Sequence, residues 1–261
     1  MPKFSANLTM LFNEVDFLSR FEKAAGAGFK GVEFLFPYRW DKEVLAELLT
    51  KFGLEQVLHN LPAGDWEAGE RGIACLPDRV DEFQEGVGLA IEYAEALKCP
   101  RLNCLVGNTP EGVSADRIQK TMVDNLRLAA AALEKKGIRL LVEHLNHHDN
   151  PGFHLMHLSD VVQLCEEVNH PNLWLQCDIY HLQIMDGDLA RTIKENLPRI
   201  AHFQLADNPG RHEPGTGEIN YPYLFDIIDR AGYDGWIGCE YIPSGLTEEN
   251  LRWIKPYLQG G

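Results

Sequence analysis

The feature that most constrains this chain is an alternation that repeats along its length. Eight apolar stretches read FSANLTML (4–11), GVEFLF (31–36), LEQVLHNL (54–61), RLNCLVG (101–107), IRLLVEHL (138–145), LWLQCDIY (173–180), IAHFQLAD (200–207) and GWIGCEYI (235–242). Several are nearly continuous in Val, Ile and Leu, as parallel strands covered on both faces require. Between them the apolar residues recur at helical spacing. NEVDFLSRFEKAAGAG carries Val15, Phe17, Leu18 and Phe21. ADRIQKTMVDNLRLAAAALEKKG carries Ile118, Met122, Leu126, Leu128 and Leu133, a stripe that reads as core. Further helices are predicted over about 41–52, 78–98, 158–168, 186–196, 221–231 and 246–257.

Strand and helix alternating in this way predict an α/β fold, a (β/α)8 TIM barrel that takes residues 1–261 as a single domain. Such barrels run to about 250 residues. The rival, an open doubly wound sheet, calls for a glycine-rich turn after the first strand, and none is present. No linker or low-complexity tract divides the chain. Two connections, 61–77 and 206–221, exceed the usual length and follow strands. They therefore belong to the C-terminal face, where barrels keep their active sites.

A net charge of −15 makes nucleic acid and anionic membrane poor partners, because both are bound through clustered Lys and Arg. A small anionic substrate is compatible, provided a local cation offsets the field. No run reaches the ~18 apolar residues of a membrane span, and the N-terminus has no clear signal-peptide core. The six cysteines are scattered, with no CxxC pair, which suits buried thiols in a reducing compartment. The expected setting is soluble and cytoplasmic, with a homo-oligomer left open.

The last four strands end in polar groups. Glu143 ends the fifth, Asp178 and His181 the sixth, Gln204 the seventh and Glu240 the eighth. Each follows the previous one by about one βα unit, so all can stand at similar heights on one rim. A single strand-end acid is most often a helix cap or half of an ion pair. Three carboxylates sharing a rim raise one another's pKa, and a divalent cation resolves the conflict. Glu143, Asp178, Gln204 and Glu240 offer only oxygen donors, which favours Mg²⁺ or Mn²⁺. His181 is open to a structural role or a hydrogen bond to substrate, and so is His59 at the end of the third strand.

Longer segments resemble the hydroxypyruvate isomerase family of the xylose-isomerase-like barrels. They are FSANLTMLF, GVEFLFPY, LHNLPAGDWEAGERGIAC, NCLVGNTP, NPGFHL, DIYH, ADNPGRHEPGTGEINY and GWIGCEY, in order from residue 4 to residue 241. The resemblance implies a metal-dependent isomerase of glyoxylate metabolism that interconverts hydroxypyruvate and 2-hydroxy-3-oxopropanoate. Glu143 and Glu240 would be its acid/base pair, and would bind the metal together with Asp178 and Gln204. By similarity to the more distant ketose epimerases, Arg211 and His181 would touch substrate. Two positions depart from the family's habit: Ile242 stands where a lysine is frequent, and His144 where a proline is. The loss of that lysine leaves open how a substrate carboxylate is held. Rival functions are a 2-oxo-tetronate isomerase, a ketose 3-epimerase, an endonuclease-IV-like repair enzyme and a non-catalytic metal-binding module. The repair enzyme would need a basic groove, against the net charge. In the long 206–221 loop the glycines allow tight turns, and a substrate-covering role is preferred to a static loop.

Overall fold

The computed structural model describes residues 2–258. Eight parallel strands close into a barrel in sequence order. They are β1 (Lys3–Asn7), β2 (Gly31–Glu33), β3 (Glu55–Asn60), β4 (Arg101–Cys104), β5 (Arg139–Val142), β6 (Leu173–Asp178), β7 (Ile200–Leu205) and β8 (Trp236–Cys239). β8 pairs with β1 from Lys3 opposite Trp236 to Ala6 opposite Cys239, which completes the ring. The strands are shorter than their apolar stretches, and Glu143 and Glu240 lie one residue beyond β5 and β8. There the backbone leaves the ladder and the side chains meet the mouth of the barrel.

Helices α1 (Arg20–Gly26), α2 (Lys42–Phe52), α3 (Val80–Leu97), α4 (Ala115–Glu134), α5 (Leu158–Val168), α6 (Ile179–Met185), α7 (Leu189–Asn196), α8 (Tyr221–Arg230), α9 (Thr247–Asn250) and α10 (Lys255–Leu258) follow the strands. Among the described residues none is long and apolar enough to cross a membrane. Helix α4 buries Ile118, Met122, Leu126 and Leu133, whereas Leu128 is 39% exposed. Two positions beyond Leu126 is about 200° around a helix, so Leu128 falls off the stripe. The sixth strand ends early, because Asp178 caps α6 through a hydrogen bond from the Tyr180 amide. His181 therefore sits on a helix rather than on a strand. The predicted terminal helix is broken into α9 and α10.

Five of the six cysteines are buried and all are free thiols. Burial pushes Cys104, Cys177 and Cys239 above the ordinary thiol range, as core residues rather than nucleophiles. At the foot of the barrel, Val57, Leu58, Leu141 and Ala201 form a small apolar plug with Trp174 and Trp236. Above that plug the interior becomes polar.

Candidate active site

The lower polar tier is built on Glu33, at the end of β2. Its carboxylate accepts hydrogen bonds from Ser5 Oγ (2.8 Å), Asn7 Nδ2 (3.3 Å) and Gln204 Nε2 (2.8 Å), and faces His202 Nε2 at 2.8 Å. Gly238 on β8 makes room for it: a Cβ there would stand 2.3 Å from Glu33 Oε1. Burial alone would raise this carboxyl, but His202 and the donors outweigh burial and hold it below its ordinary value.

The upper tier carries the rim residues. Glu240 Oε1 accepts from Arg211 Nη2 at 2.8 Å. Its Oε2 accepts from Asn7 Nδ2 at 3.2 Å and from Gln204 Nε2. Glu143 Oε1 accepts from Asn103 Nδ2 at 2.7 Å, and the same amide reaches Asn60 Oδ1 at 3.1 Å. Asp178 Oδ2 is buried without a hydrogen bond, 3.8 Å from Arg211 Nη2 and 3.4 Å from His181 Nε2. His181 Nδ1 accepts from the Asn146 amide at 3.2 Å, which leaves the ring proton on Nε2 and directed at Asp178.

The electrostatics follow from burial. Glu143 is pushed up to about 8, first by burial and then by the charge of Asp178. Burial also raises Asp178 to about 6, against the opposing pull of Arg211 and two backbone amides. Glu240 is driven well above the ordinary range by burial, although Arg211 opposes this. Burial pulls Arg211 down, but Glu240, Asp178 and Asp149 more than reverse that, so the guanidinium stays charged. His181 is held neutral by burial and by Arg211.

Arg211 reaches the rim from the 206–221 loop. Its φ is 57°, a left-handed conformation that costs a non-glycine residue roughly 1–3 kcal/mol. The loop is stitched so as to impose it. Asp207 accepts from the amides of Asn208 (3.0 Å), Gly215 (2.7 Å) and Ile219 (3.1 Å). The Arg211 carbonyl accepts from the Ile242 amide at 2.8 Å. The loop thus forms a wall of the site and carries the cation into it.

The cavity at the mouth has a volume of about 190 Å³ and is lined by Glu143, Glu240, His181 and Arg211, among others. Asp178 and Gln204 lie beneath its surface. The structure thus brings together six of the seven residues singled out in the sequence. The seventh, His59, is a correction. Its ring faces Tyr38, which packs on Tyr93 of α3, so it points out of the barrel, and burial lowers its pKa to about 3. Alternation along β3 decides this: Asn60 takes the inward position and lines the cavity. His144 also turns outward, toward Asp186 at 4.0 Å. Ile242 is 50% exposed and outside the cavity.

Sequence reasoning missed Glu33, His202, Asn7 and Asn103. The signal was available, since Glu33 interrupts an apolar strand just as Glu240 does. For a divalent cation the donor chemistry fits. The rim supplies hard oxygens, and Asp178 Oδ2 is a buried acceptor that makes no hydrogen bond. Among the described residues, however, no three His, Cys, Asp or Glu side chains converge on one ion position. Arg211 balances the carboxylates instead, and Gln204 turns its nitrogen to Glu240 and its oxygen to Gln176. Ligation by Gln204 would require that amide to reverse.

A closed barrel with acids, a charged arginine and a neutral histidine gathered at its strand ends defines a (β/α)8 enzyme. Comparison with known proteins narrows the class. The family description "Xylose isomerase-like TIM barrel" matches residues 21–257. The hydroxypyruvate isomerase of Escherichia coli (strain K12) is 56% identical, over 98% of this chain and 100% of that protein. A 2-oxo-tetronate isomerase of Pectobacterium atrosepticum is 45% identical over 99% of each. Among solved structures, an AP endonuclease, family 2, from Brucella melitensis superposes with a TM-score of 0.96 at 50% identity, over 98% of this chain and 99% of that one. A 3-keto-D-glucoside 4-epimerase from E. coli (TM-score 0.80, 19% identity, 98% and 99% covered) shares the fold. The chain belongs to the xylose isomerase-like TIM barrel family and, more narrowly, to the hydroxypyruvate isomerase family, and it is an enzyme of the isomerase class.

Proposed function

We propose that this enzyme interconverts hydroxypyruvate and 2-hydroxy-3-oxopropanoate, with Glu143 and Glu240 moving the protons. One observation carries the proposal: a single small cavity is lined by both glutamates, by Arg211 and by His181. The 56% identity to a hydroxypyruvate isomerase supports the substrate.

The two acids differ in the position of a carbonyl on three carbons. A carboxylate takes a proton from the hydroxymethyl carbon, and the electron pair forms the double bond of an enediolate, with the charge on the former carbonyl oxygen. Return of a proton to the former carbonyl carbon, and transfer of the terminal hydroxyl proton to the neighbouring oxygen, complete the change. A carboxyl held near pH 8, as Glu143 is, takes up and releases protons close to neutrality. The Arg211 guanidinium and the Nε2–H of His181 stabilise oxyanion charge. Glu143, Asp178, Gln204 and Glu240 would hold Mg²⁺ or Mn²⁺, which when bound supplies Lewis-acid stabilisation of that charge.

A second reading, isomerisation of a four-carbon 2-oxo-tetronate by the same chemistry, is favoured by the relatives of that name at 45% and 46% identity. Side-by-side turnover of the two substrates decides between them. Chelation should abolish activity and Mg²⁺ or Mn²⁺ restore it; full turnover in metal-stripped protein would remove the cation from the scheme. The AP endonuclease neighbour prompts an abasic-site incision assay, for which the net charge of −15 predicts no activity. A cytoplasmic location accompanies the proposal, supported by the free thiols.

A further inference from the structure

The proposed substrate carries a carboxylate, and Arg211 is already committed. Its guanidinium is shared among Glu240 at 2.8 Å, Asp178 at 3.8 Å and Asp149 at 3.8 Å. A second guanidinium, that of Arg71, lines the same cavity. It comes from the 61–77 loop and is braced on several sides. Nε donates to Asn150 Oδ1 at 3.1 Å, and Nη1 donates to the carbonyls of Trp66 (3.2 Å) and Glu70 (2.8 Å). The guanidinium lies over the Trp66 ring, 4.0 Å from its centroid. The backbone beside it is clamped too. Gly72 (φ 112°) bridges Val106, and a Cβ there would stand 1.8 Å from the Leu105 carbonyl oxygen. Only glycine allows that approach.

Every one of these partners is neutral. Among the described residues no carboxylate pairs with Arg71, and Nη2 makes no hydrogen bond. A planar cation that is oriented, half-buried and left without a counter-ion is preorganised for a carboxylate.

We propose that Arg71 is the residue that selects the substrate carboxylate, and so favours 2-oxo acids over neutral ketoses of equal size. This rests on the isomerase function proposed above. The test compares Arg71→Met and Arg71→Lys with the parent enzyme on hydroxypyruvate and on dihydroxyacetone, in which a hydroxymethyl group replaces the carboxylate. Arg71→Met should raise KM for hydroxypyruvate roughly 10- to 100-fold, the range of a lost charge-assisted contact, with kcat within about threefold. Arg71→Lys should recover part of the loss, and dihydroxyacetone turnover should not fall. Unchanged KM for hydroxypyruvate, or equal losses on both substrates, would overturn the assignment. Calorimetry with tartronate, a non-isomerising dicarboxylate, separates the two proposals. Parent enzyme that binds tartronate but does not turn over hydroxypyruvate refutes the isomerase reading alone. In that case loss of tartronate binding in Arg71→Met still supports Arg71, and retention overturns it. No tartronate binding by the parent enzyme overturns the Arg71 proposal whatever the turnover.

Discussion

The barrel interior treats two sets of buried carboxylates in opposite ways. Glu33 is matched by Ser5, Asn7, Gln204 and His202, and stays below its ordinary pKa. One tier above, Glu143 and Glu240 are also nearly inaccessible, yet both are driven upward. Burial is common to the two tiers, so it does not explain the difference. The charges and donors that face each carboxylate do. Glu33 has a histidine partner and three donors that together outweigh burial, whereas Glu143 faces the charge of Asp178, and Glu240 faces those of Asp178, Glu143 and Glu33 itself. Gln204 and Asn7 each donate to both Glu33 and Glu240, so the settled carboxylate and its donors position the unsettled one. The lower tier is thus the compensated one, and the upper tier is the one proposed to move protons.

The sharpest way to break this division is to neutralise each tier. Glu143→Gln and Glu240→Gln should each lower kcat by about 10²–10⁴-fold, the usual contribution of a positioned acid or base. Neither should lower the thermal midpoint, because a carboxyl that resists ionisation loses little when it becomes an amide. Near-normal turnover in either variant would end the two-glutamate scheme. Glu33→Ala should act in the opposite sense, costing about 3 kcal/mol in urea unfolding by leaving His202 and three donors without their acceptor. A Glu33→Ala protein as stable as the parent would show that the lower tier is not scaffold.

A pH series sharpens the same contrast. Glu143 moves from 4.5 to about 8 on folding, so between those values the folded state holds a proton that the unfolded state has released. The stability this group contributes is present below about pH 4.5 and is lost as pH rises to about 8. Metal-free protein should therefore unfold more easily at pH 8 than at pH 6, as followed by thermal melts. Glu143→Gln should flatten that slope, and a slope unchanged in the variant would reject Glu143 as its source. Added Mg²⁺ or Mn²⁺ should recover about 2.7 kcal/mol at a hundredfold excess over Kd, more fully at the higher pH.

The barrel was legible because its eight apolar stretches and their helical intervals are set by local chemistry. The rim was legible in its last four strands because a charge inside an apolar run is conspicuous. In the first four strands Asn7, Asn60 and Asn103 escaped notice because they are neutral amides, common at strand ends for reasons of turn chemistry, whereas Glu33 was missed although it interrupts an apolar run as Glu240 does. Asn7 and Asn103 become donors to Glu240 and Glu143, and Asn60 an acceptor from Asn103, only once the ring closes. His59 misled for a related reason. Position near a strand end brings a residue to the correct height, but alternation decides whether it faces inward, and one residue separates His59 from Asn60. Arg71 lay within a long segment that supported the family resemblance, and only its folded neighbours reveal that no acid opposes it.

The smallest effect is expected at Ile242, where the sequence raised the greatest concern about substrate. The family resemblance, with lysine frequent at this position, invites the view that a cation has been lost. The side chain is half-exposed and lies outside the cavity, while its backbone pairs with Arg211 and its carbonyl meets His212 Nδ1 at 2.7 Å. The position thus works through main-chain hydrogen bonds that any residue but proline supplies. Ile242→Lys should leave KM and kcat for hydroxypyruvate within about twofold, since an exposed charge is largely screened beyond about 8 Å at physiological salt. A tenfold fall in KM would instead show a flexible ammonium reaching the mouth from outside. It would also mean that Arg71 does not hold the carboxylate alone.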